Sequence, residues 1–277
     1  MKKLSITFLL LPFLKISFSQ GYSIFKADYV ISYSLIHSPD TNNLADQDKA
    51  VYYLFGNSEG SYWVEKGKYL SDSAVSKLSD KPSDLTQAMQ IIHSLPKPKS
   101  FATIHKNYTQ HTIQYIDQIR SESFYYMEPS NTIVWNLENK NQVISGFNCQ
   151  SASCQFKGRQ YEAWFTTDIG IQEGPYKFIG LPGTIVKIRD FKNQVQFELL
   201  SIRKGSFEIA VPDRSKNAGI KQVSSVELKR MKEDALKNPL VGMESRGQVM
   251  DEENRRKVME RARIRSARFN NPIELID

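Results

Sequence analysis

The 277-residue sequence predicts a mainly β protein of the α+β class, built on a strongly curved antiparallel sheet or half-barrel. Short runs rich in Val, Ile, Tyr, Phe and Trp recur at near-regular spacing, which is typical of antiparallel sheets. Apolar and polar residues alternate within these runs, which predicts strands with one covered face and one solvated face. Start and stop signals elsewhere predict a short helical insertion and a C-terminal helical extension.

The N-terminus has the pattern of a secretory signal peptide. A basic start precedes an apolar run from Leu4 to Phe18, and small residues precede a cleavage site after Ser19. We therefore expect residues 1–19 to be removed and the mature chain to be periplasmic or secreted. No segment approaches the ~20 apolar residues that a spanning helix needs, so no transmembrane segment is expected.

The net charge of +7 is concentrated at the two ends of the chain. Three lysines lie in the predicted signal peptide, and the segment after Pro212 holds 15 basic and 11 acidic residues. Residues 20–212 are therefore close to neutral. Nucleic-acid binding needs a basic surface interleaved with aromatic side chains, so no nucleic-acid partner is expected.

The first half of the chain contains a predicted strand, a predicted hairpin and a predicted helix. Apolar and polar residues alternate over residues 27–35, which indicates a half-buried strand. Aromatic-rich runs at residues 51–55 and 61–65 flank a short polar turn and predict a β-hairpin. Ser83 can cap a short helix, which Pro96 ends.

Eight further runs predict strands between residues 111 and 202. Each is short, rich in β-branched or aromatic residues and bounded by turn residues. In chain order they are residues 111–119, 123–127, 133–137, 143–147, 153–157, 161–166, 184–189 and 194–202. With the earlier strands they define a β-rich domain over residues 20–212.

The C-terminal segment has a helical composition. Ser224 and Glu227 form a capping-box pattern at the start of one predicted helix. A second helix is predicted from Asp251 to about Arg268, with acidic residues in its first turn and arginines in its last. Because the apolar stripe on this helix is narrow, we expect residues 213–277 to form a mobile or interacting helical extension.

The tetrapeptide Gly180-Leu181-Pro182-Gly183 predicts a rigid turn. Pro182 fixes its own φ and favours an extended Leu181. Gly183 can adopt the positive φ that the third position of a type II turn requires. We interpret the four residues as a structural corner at which the sheet doubles back, with no catalytic role.

Six blocks around this corner resemble the GLPGLI family of Bacteroidota. They are residues 135–138, 142–152, 158–159, 163–166, 174–188 and 271–275, in the order that the family has. Thr184 stands where the family name has leucine, and Asp168-Ile-Gly-Ile replaces the more usual Glu-Ile-Pro-Ile. The resemblance implies an exported family of unknown function, and therefore no particular activity.

Eight aromatic residues cluster in and around these blocks, and two interpretations of them stay open. They are Tyr125, Tyr126, Trp135, Tyr161, Trp164, Phe165, Tyr176 and Phe178. The default interpretation is packing within the sheet, because aromatic residues are frequent in strands. The alternative is a concave platform for an apolar or carbohydrate ligand. The lining of such a platform is Trp135, Trp164, Tyr176 and Phe178, with Arg159 and Lys187 or Arg189 as polar anchors.

The two cysteines, Cys149 and Cys154, are five residues apart. On one continuous strand they point to opposite faces, so a disulfide needs a bend, which residues 150–153 can supply. Because an exported protein is free to oxidise its thiols, we favour a local disulfide. The alternative is a buried Cys149 with a free Cys154.

No metal site, cofactor or catalytic constellation is predicted. The four histidines, His37, His93, His105 and His111, are scattered, and neither HExxH nor CxxC is present. The sequence also lacks a G-x-S-x-G elbow and a P-loop. We therefore expect no bound cofactor and nominate no catalytic residue.

Three functions are compatible with these patterns. The leading hypothesis is a non-enzymatic binding or accessory protein of the cell envelope, which holds an apolar ligand, a lipid, a glycan or an envelope protein. The first alternative is a hydrolase that uses carboxylates near Asp168 and Glu173, which requires two carboxyl groups facing each other across a cleft. The second is a structural protein that docks through its C-terminal helices.

Overall fold

A computed structural model describes residues 22–79, 90, 93–213, 219–244 and 250–276. The predicted signal peptide and most of the helix predicted after Ser83 lie outside these residues. The described strands are β1 (Tyr22–His37), β2 (Asp48–Gly56), β3 (Gly60–Glu65), β4 (Thr103–Asn107), β5 (Thr112–Ile119), β6 (Glu122–Pro129), β7 (Asn136–Ile144), β8 (Phe147–Phe156), β9 (Arg159–Thr166), β10 (Thr184–Asp190), β11 (Val195–Pro212) and β12 (Ile220–Gln222). The described helices are α1 (Lys66–Ser79), α2 (Ser225–Lys237), α3 (Pro239–Glu244) and α4 (Glu252–Arg268).

All twelve strands belong to one open sheet. Their order is β12-β6-β5-β4-β3-β2-β1-β11-β10-β9-β8-β7, so β12 and β7 form the edges. The pairs are antiparallel except β12 with β6, which is parallel. The predicted fold class, a mainly β protein with a mostly antiparallel sheet, is confirmed.

The sheet is strongly curved. Glu128 lies near the end of β6, and Lys157 lies in the turn before β9, which is eight strand positions away in the sheet order. In a flat sheet these strands lie roughly 38 Å apart. The Nζ of Lys157 nevertheless lies 3.3 Å from Oε2 of Glu128. The two halves of the sheet therefore curl towards each other, and side chains bridge the open side of the half-barrel.

The central strands bury side chains on both faces. Ile31 and Tyr33 of β1 point into the main core on the concave face. Val30 points the other way, into a smaller apolar cluster on the convex face. Tyr69 of α1 covers that cluster and contacts the rings of Tyr53 and Phe55. The sequence patterns did not predict α1, whose cover explains why the central strands are apolar on both sides.

The loop between β9 and β10 lies on the concave face. Its residues Ile169, Phe178 and Leu181 are buried in the main core beside residues of the strands. Phe178 is 0% exposed. The covered face of the sheet is therefore packed, in this region, against the chain's own loop.

The predicted type II turn at the corner is wrong in one respect. Gly180 has the positive φ, at 103°, whereas Gly183 does not. A Cβ built on Gly183 comes within 2.3 Å of the backbone oxygen of Thr166. Position 183 therefore requires glycine because β9 and β10 approach closely there, and not because of its φ angle.

The C-terminal segment is docked on the sheet, which corrects the expectation of a mobile arm. Strand β12 pairs with β6, and Leu228 of α2 packs against Ile119, Phe124 and Tyr126. Asn271 is 2% exposed. The helix predictions are confirmed, because Ser224 caps α2 and Asp251 caps α4. The boundary at residue 212 stays a prediction, although the chain on either side of it shares one sheet.

Candidate functional site

Three buried cations hold the loop and the C-terminal tail against the concave face. The first is Lys106 of β4, whose Nζ donates to Oε1 of Glu173 and, at 2.7 Å, to the carbonyl of Gly174. The hydroxyl of Tyr108 donates to the other oxygen of Glu173. The side chains of Lys106 and Glu173 are both 0% exposed. Burial lowers the pKa of Lys106, while the Glu173 carboxylate opposes that shift.

Glu173 is therefore committed to a structural ion pair. A general acid or base must reach its substrate, and this carboxylate contacts only protein groups inside the fold. Burial, followed by the neighbouring Glu173 charge, also raises the pKa of Tyr108 well above its usual range. The hydroxyl consequently stays protonated and remains a donor to the carboxylate at physiological pH.

The second cation is Arg159, one of the predicted polar anchors. It is 3% exposed. Its Nη1 donates to Oδ2 of Asp190 at 2.9 Å and to Gln194, and its Nη2 donates to Asn271 and to the carbonyl of Pro272. Its Nε donates to the carbonyl of Ile273. These bonds use all five N–H groups of the guanidinium, so none remains for a ligand.

The third cation is Lys177, which no sequence pattern predicted. Its Nζ lies 2.6 Å from carboxylate oxygens of both Glu128 and Glu274. It also donates to the hydroxyl of Tyr126 at 2.7 Å and lies 5.2 and 5.5 Å from the ring centroids of Tyr115 and Tyr176. A charged residue between Tyr176 and Phe178 in an otherwise apolar segment was the signal that could have identified it.

The structure brings together only some of the predicted binding residues. Phe178 contacts the rings of Trp135 and Tyr176, and Nε1 of Trp135 donates to the carbonyl of Ile179 at 2.9 Å. Trp164 alternates with the buried residues of β9 and is half-buried against the main core. Lys187 is paired with Glu198 at 2.6 Å. No single surface therefore presents all six residues, and their ligand role stays a prediction.

The predicted disulfide is absent, which corrects that expectation. Cys149 and Cys154 are both free thiols and both buried. Residues 150–153 continue β8 instead of forming a bend. Five residues of strand separate the Cα atoms by roughly 16 Å, whereas a disulfide needs about 4.4–6.8 Å.

Thiol titration is expected to find two free but slowly reacting cysteines in the folded protein. Burial raises the pKa of both thiols, that of Cys154 to about 12, so very little thiolate exists at pH 8. Both thiols should react rapidly with a disulfide reagent after unfolding in denaturant without reductant. Finding no reactive thiol under those unfolding conditions contradicts the free-thiol structure.

An open groove lies at the β7 end of the sheet, and we call it the amide groove. Its volume is about 540 Å³. Cys149 and Phe165 are its buried residues. Polar side chains with both donors and acceptors dominate the rest of its lining. The groove is lined by Asn141, Gln142, Val143, Asn148, Cys149, Gln150, Phe165, Thr167 and Asp168.

Side chains of the amide groove are partly fixed by hydrogen bonds. The backbone N–H of Asn148 donates to Oδ2 of Asp168 at 3.1 Å, which ties the loop after β9 to β8. Nε2 of Gln150 donates to the carbonyl of Glu138 at 2.9 Å. Gln142 and Asn148 are exposed on neighbouring strand ends. The groove is therefore a polar surface in which Gln150 and Asn148 are held by Glu138 and Asp168.

Two other site types are not found within the described residues. No group of three or more His, Cys, Asp and Glu side chains there is arranged to hold a metal ion. The described helices include none that is long and apolar enough to cross a membrane.

Fold and site together define a mainly β protein whose curved, open sheet is filled from its concave side by the chain's own loop and tail. The family described as "Protein of unknown function (Porph_ging)" matches residues 102–187. That partial match is consistent with the GLPGLI resemblance. No curated protein matches the chain.

Two solved structures of PNGF-II, from different space groups, are similar to this chain at 16% identity. Their TM-scores are 0.46 and 0.47, and the matches cover 73% and 74% of this chain. The same matches cover 32% of each PNGF-II chain, so this protein spans about a third of their length.

Proposed function

We propose that the protein is an exported, non-enzymatic binding protein of the cell envelope, and that its amide groove takes a glycan. The observation that carries the proposal is the set of amide residues that line an open groove, three of which, Asn141, Asn148 and Gln150, share one face of β7 and β8. The signal-peptide pattern of residues 1–19 supports export.

The chemistry of the lining favours a hydroxyl-rich ligand. An Asn or Gln side chain offers two N–H donors and a carbonyl acceptor, and a sugar hydroxyl both donates and accepts. Asn141, Asn148 and Gln150 supply such groups on one face of the paired strands β7 and β8, and Asp168 adds an acceptor. The volume of about 540 Å³ lies in the range of small-molecule sites. The groove is thus large enough for one or two sugar rings.

The packing favours a glycan over an apolar guest. An apolar ligand inside the half-barrel needs space on the concave face, where Phe178 and Leu181 already pack. The apolar part of the amide groove is limited to Val143, Cys149 and Phe165. These residues suit the carbon face of a sugar ring better than an acyl chain.

The carboxylate arrangement supports binding without hydrolysis. Two carboxyl groups about 5–10 Å apart are the usual requirement for glycoside hydrolysis. Asp168 is the one carboxylate among the described residues that line the groove. Glu173, its partner in the hydrolase hypothesis, is buried against Lys106.

The test is oligosaccharide binding by the mature chain, residues 20–277. A glycan array identifies the ligand class, and calorimetry then compares intact protein with the double variant Asn141→Ala/Asn148→Ala, whose two changes lie on the same face of the sheet. Loss of two hydrogen-bonding side chains is expected to weaken binding roughly tenfold or more. The matched control is Gln155→Ala, an exposed amide of β8 that is not among the residues lining the groove. Failure of the intact chain to retain any glycan, or unchanged binding by the double variant, overturns the proposal.

A further inference from the structure

The C-terminal tail, residues 270–276, lies in a site with the features of a peptide-recognition groove. We call this site the tail groove. Its walls come from β1, the turn between β8 and β9, the loop before β10 and the turn after β10. The contacts that matter are made by His37, Lys157, Arg159, Tyr176, Lys177 and Gln194.

The tail groove recognises Asn271 through both its backbone and its side chain. The Asn271 N–H donates to the carbonyl of Pro39 at 2.9 Å, and its carbonyl accepts from Nε2 of His37 at 2.6 Å. Its side-chain oxygen accepts from Arg159, and its side-chain nitrogen donates to Ser38 and Gln194. Each hydrogen-bonding group of this residue therefore has a partner, and only asparagine supplies that set.

Arg159 also binds the backbone of the residues that follow Asn271. Its Nη2 donates to the carbonyl of Pro272 at 2.7 Å and its Nε donates to the carbonyl of Ile273 at 3.0 Å. These two bonds fix the position of the tail along the groove. One guanidinium thus contacts three consecutive tail residues. Asp190 fixes that guanidinium from the opposite side at 2.9 Å, so the fork is held in place by the body of the protein.

An acidic side chain is recognised two residues after the proline. Oε1 of Glu274 accepts a hydrogen bond from the hydroxyl of Tyr176 at 2.6 Å and lies 2.6 Å from Nζ of Lys177. Beyond it, the N–H of Leu275 donates to the carbonyl of Lys157 at 2.9 Å. The site therefore combines a guanidinium that binds backbone carbonyls, a set of partners for an asparagine, and a lysine with a tyrosine hydroxyl that bind a carboxylate.

The helix that carries the tail buries less of its surface than the tail does. Ala262 is the buried residue of α4. At its C-terminal end Arg268 donates part-buried hydrogen bonds to Asp46 and Asp48. Recognition is thus concentrated in a short linear segment, which is the property of a peptide ligand.

We propose that the tail groove is a recognition site for an Asn-Pro-Ile-Glu peptide and that the tail of a second copy of this chain can occupy it. The intact chain fills the site with its own tail, whose effective concentration is high because it is covalently attached. The same contacts are available to the identical segment of another copy once the attached tail is released. The proposal is independent of the amide groove and of its ligand.

The first test uses a fluorescent peptide of residues 269–277 and the mature chain. The tail-weakened variant Asn271→Ala/Glu274→Gln keeps every groove residue. It is expected to bind the peptide roughly tenfold more tightly than the intact chain, because competition by the attached tail is reduced. A peptide carrying Glu274→Gln is expected to bind roughly tenfold more weakly, because a charge-assisted contact is lost. A scrambled peptide of the same composition controls for charge.

The second test asks for the second copy directly. Tail-weakened protein is mixed with an Arg159→Lys variant, whose tail is native but whose fork is lost, and the mixture is examined by sedimentation. One partner then offers a groove and the other offers a tail, so a heterodimer is expected in the mixture while each variant alone is monomeric. If the tail-weakened double variant fails to fold, the single variant Glu274→Gln replaces it. If Arg159→Lys fails to fold, Lys177→Met replaces it.

Two results overturn the inference. The first is the absence of saturable peptide binding to folded tail-weakened protein, or equal binding of the scrambled peptide. The second is a mixture that stays monomeric at concentrations where the peptide is bound, which removes the second copy as the occupant. Neither result bears on glycan binding.

Discussion

Replacing Glu173 with glutamine is expected to lower the free energy of unfolding by about 3–5 kcal/mol, because it leaves the charge of Lys106 buried without its partner. Both side chains are 0% exposed, so water cannot solvate the orphaned ammonium. The carbonyls of Gly174 and Phe178 still accept from Lys106, but they carry no compensating charge. Urea denaturation at neutral pH, followed by circular dichroism, measures the change.

Two matched variants show whether the loss arises from the unpaired charge. Lys106→Met/Glu173→Leu removes both charges and is expected to lose less stability than Glu173→Gln alone, since an apolar pair avoids the desolvation cost. Glu253→Gln removes one partner of the exposed pair with Lys257 and is expected to change stability little. A Glu173→Gln protein as stable as the original contradicts the buried ion pair.

Replacing Phe178 with alanine is expected to lower the free energy of unfolding by about 3–5 kcal/mol, because it leaves a cavity in the main core. Phe178 is 0% exposed, and its ring lies 4.8 Å from that of Tyr161 and 5.2 Å from that of Phe156. Because it joins the loop to the strands, its loss also weakens the cover of the concave face. The control is Phe191→Ala, which makes the same chemical change at a side chain that is 60% exposed.

The same variant separates the two interpretations of the aromatic cluster. If Phe178 belonged to a ligand platform, its removal would abolish ligand binding and leave the unfolding transition unchanged. If Phe178 packs in the core instead, its removal lowers the midpoint of the unfolding transition. An unchanged midpoint for Phe178→Ala together with a lower midpoint for Phe191→Ala contradicts the placement of this residue.

The elements whose signals are local were predictable. The alternation over residues 27–35 became part of β1, and the capping residues Ser224 and Asp251 begin helices where expected. A period of two or a cap is written within a few neighbouring residues, so no distant contact is needed to read it. Helix α1 was missed because the segment has no cap pattern that distinguishes it from the hairpin before it.

The candidate site was predictable only in part. Arg159 was identified as an anchor, yet its partners are Asp190, Asn271 and the tail carbonyls instead of a ligand. Lys177 was not identified, because its three tyrosines come from β5, β6 and the loop before β10. The amide groove was not predicted either, since its lining combines β7, β8 and β9 with the loop that follows them.

The sequence by itself determined most of the strands and the C-terminal helices, because these follow from backbone preferences and local alternation. The strands predicted at residues 133–137 and 143–147 were wrong, because β7 spans Asn136–Ile144 and residues 145–146 form the turn before β8, and β4 and β12 were not predicted. The tertiary structure decided which charges are buried and what covers the concave face. Those outcomes depend on the curl that brings β6 beside the turn before β9, and on a loop and a tail that supply partners from far along the chain. A buried charge is tolerated only where the fold places an oppositely charged partner beside it, and no local sequence pattern encodes such a tertiary contact.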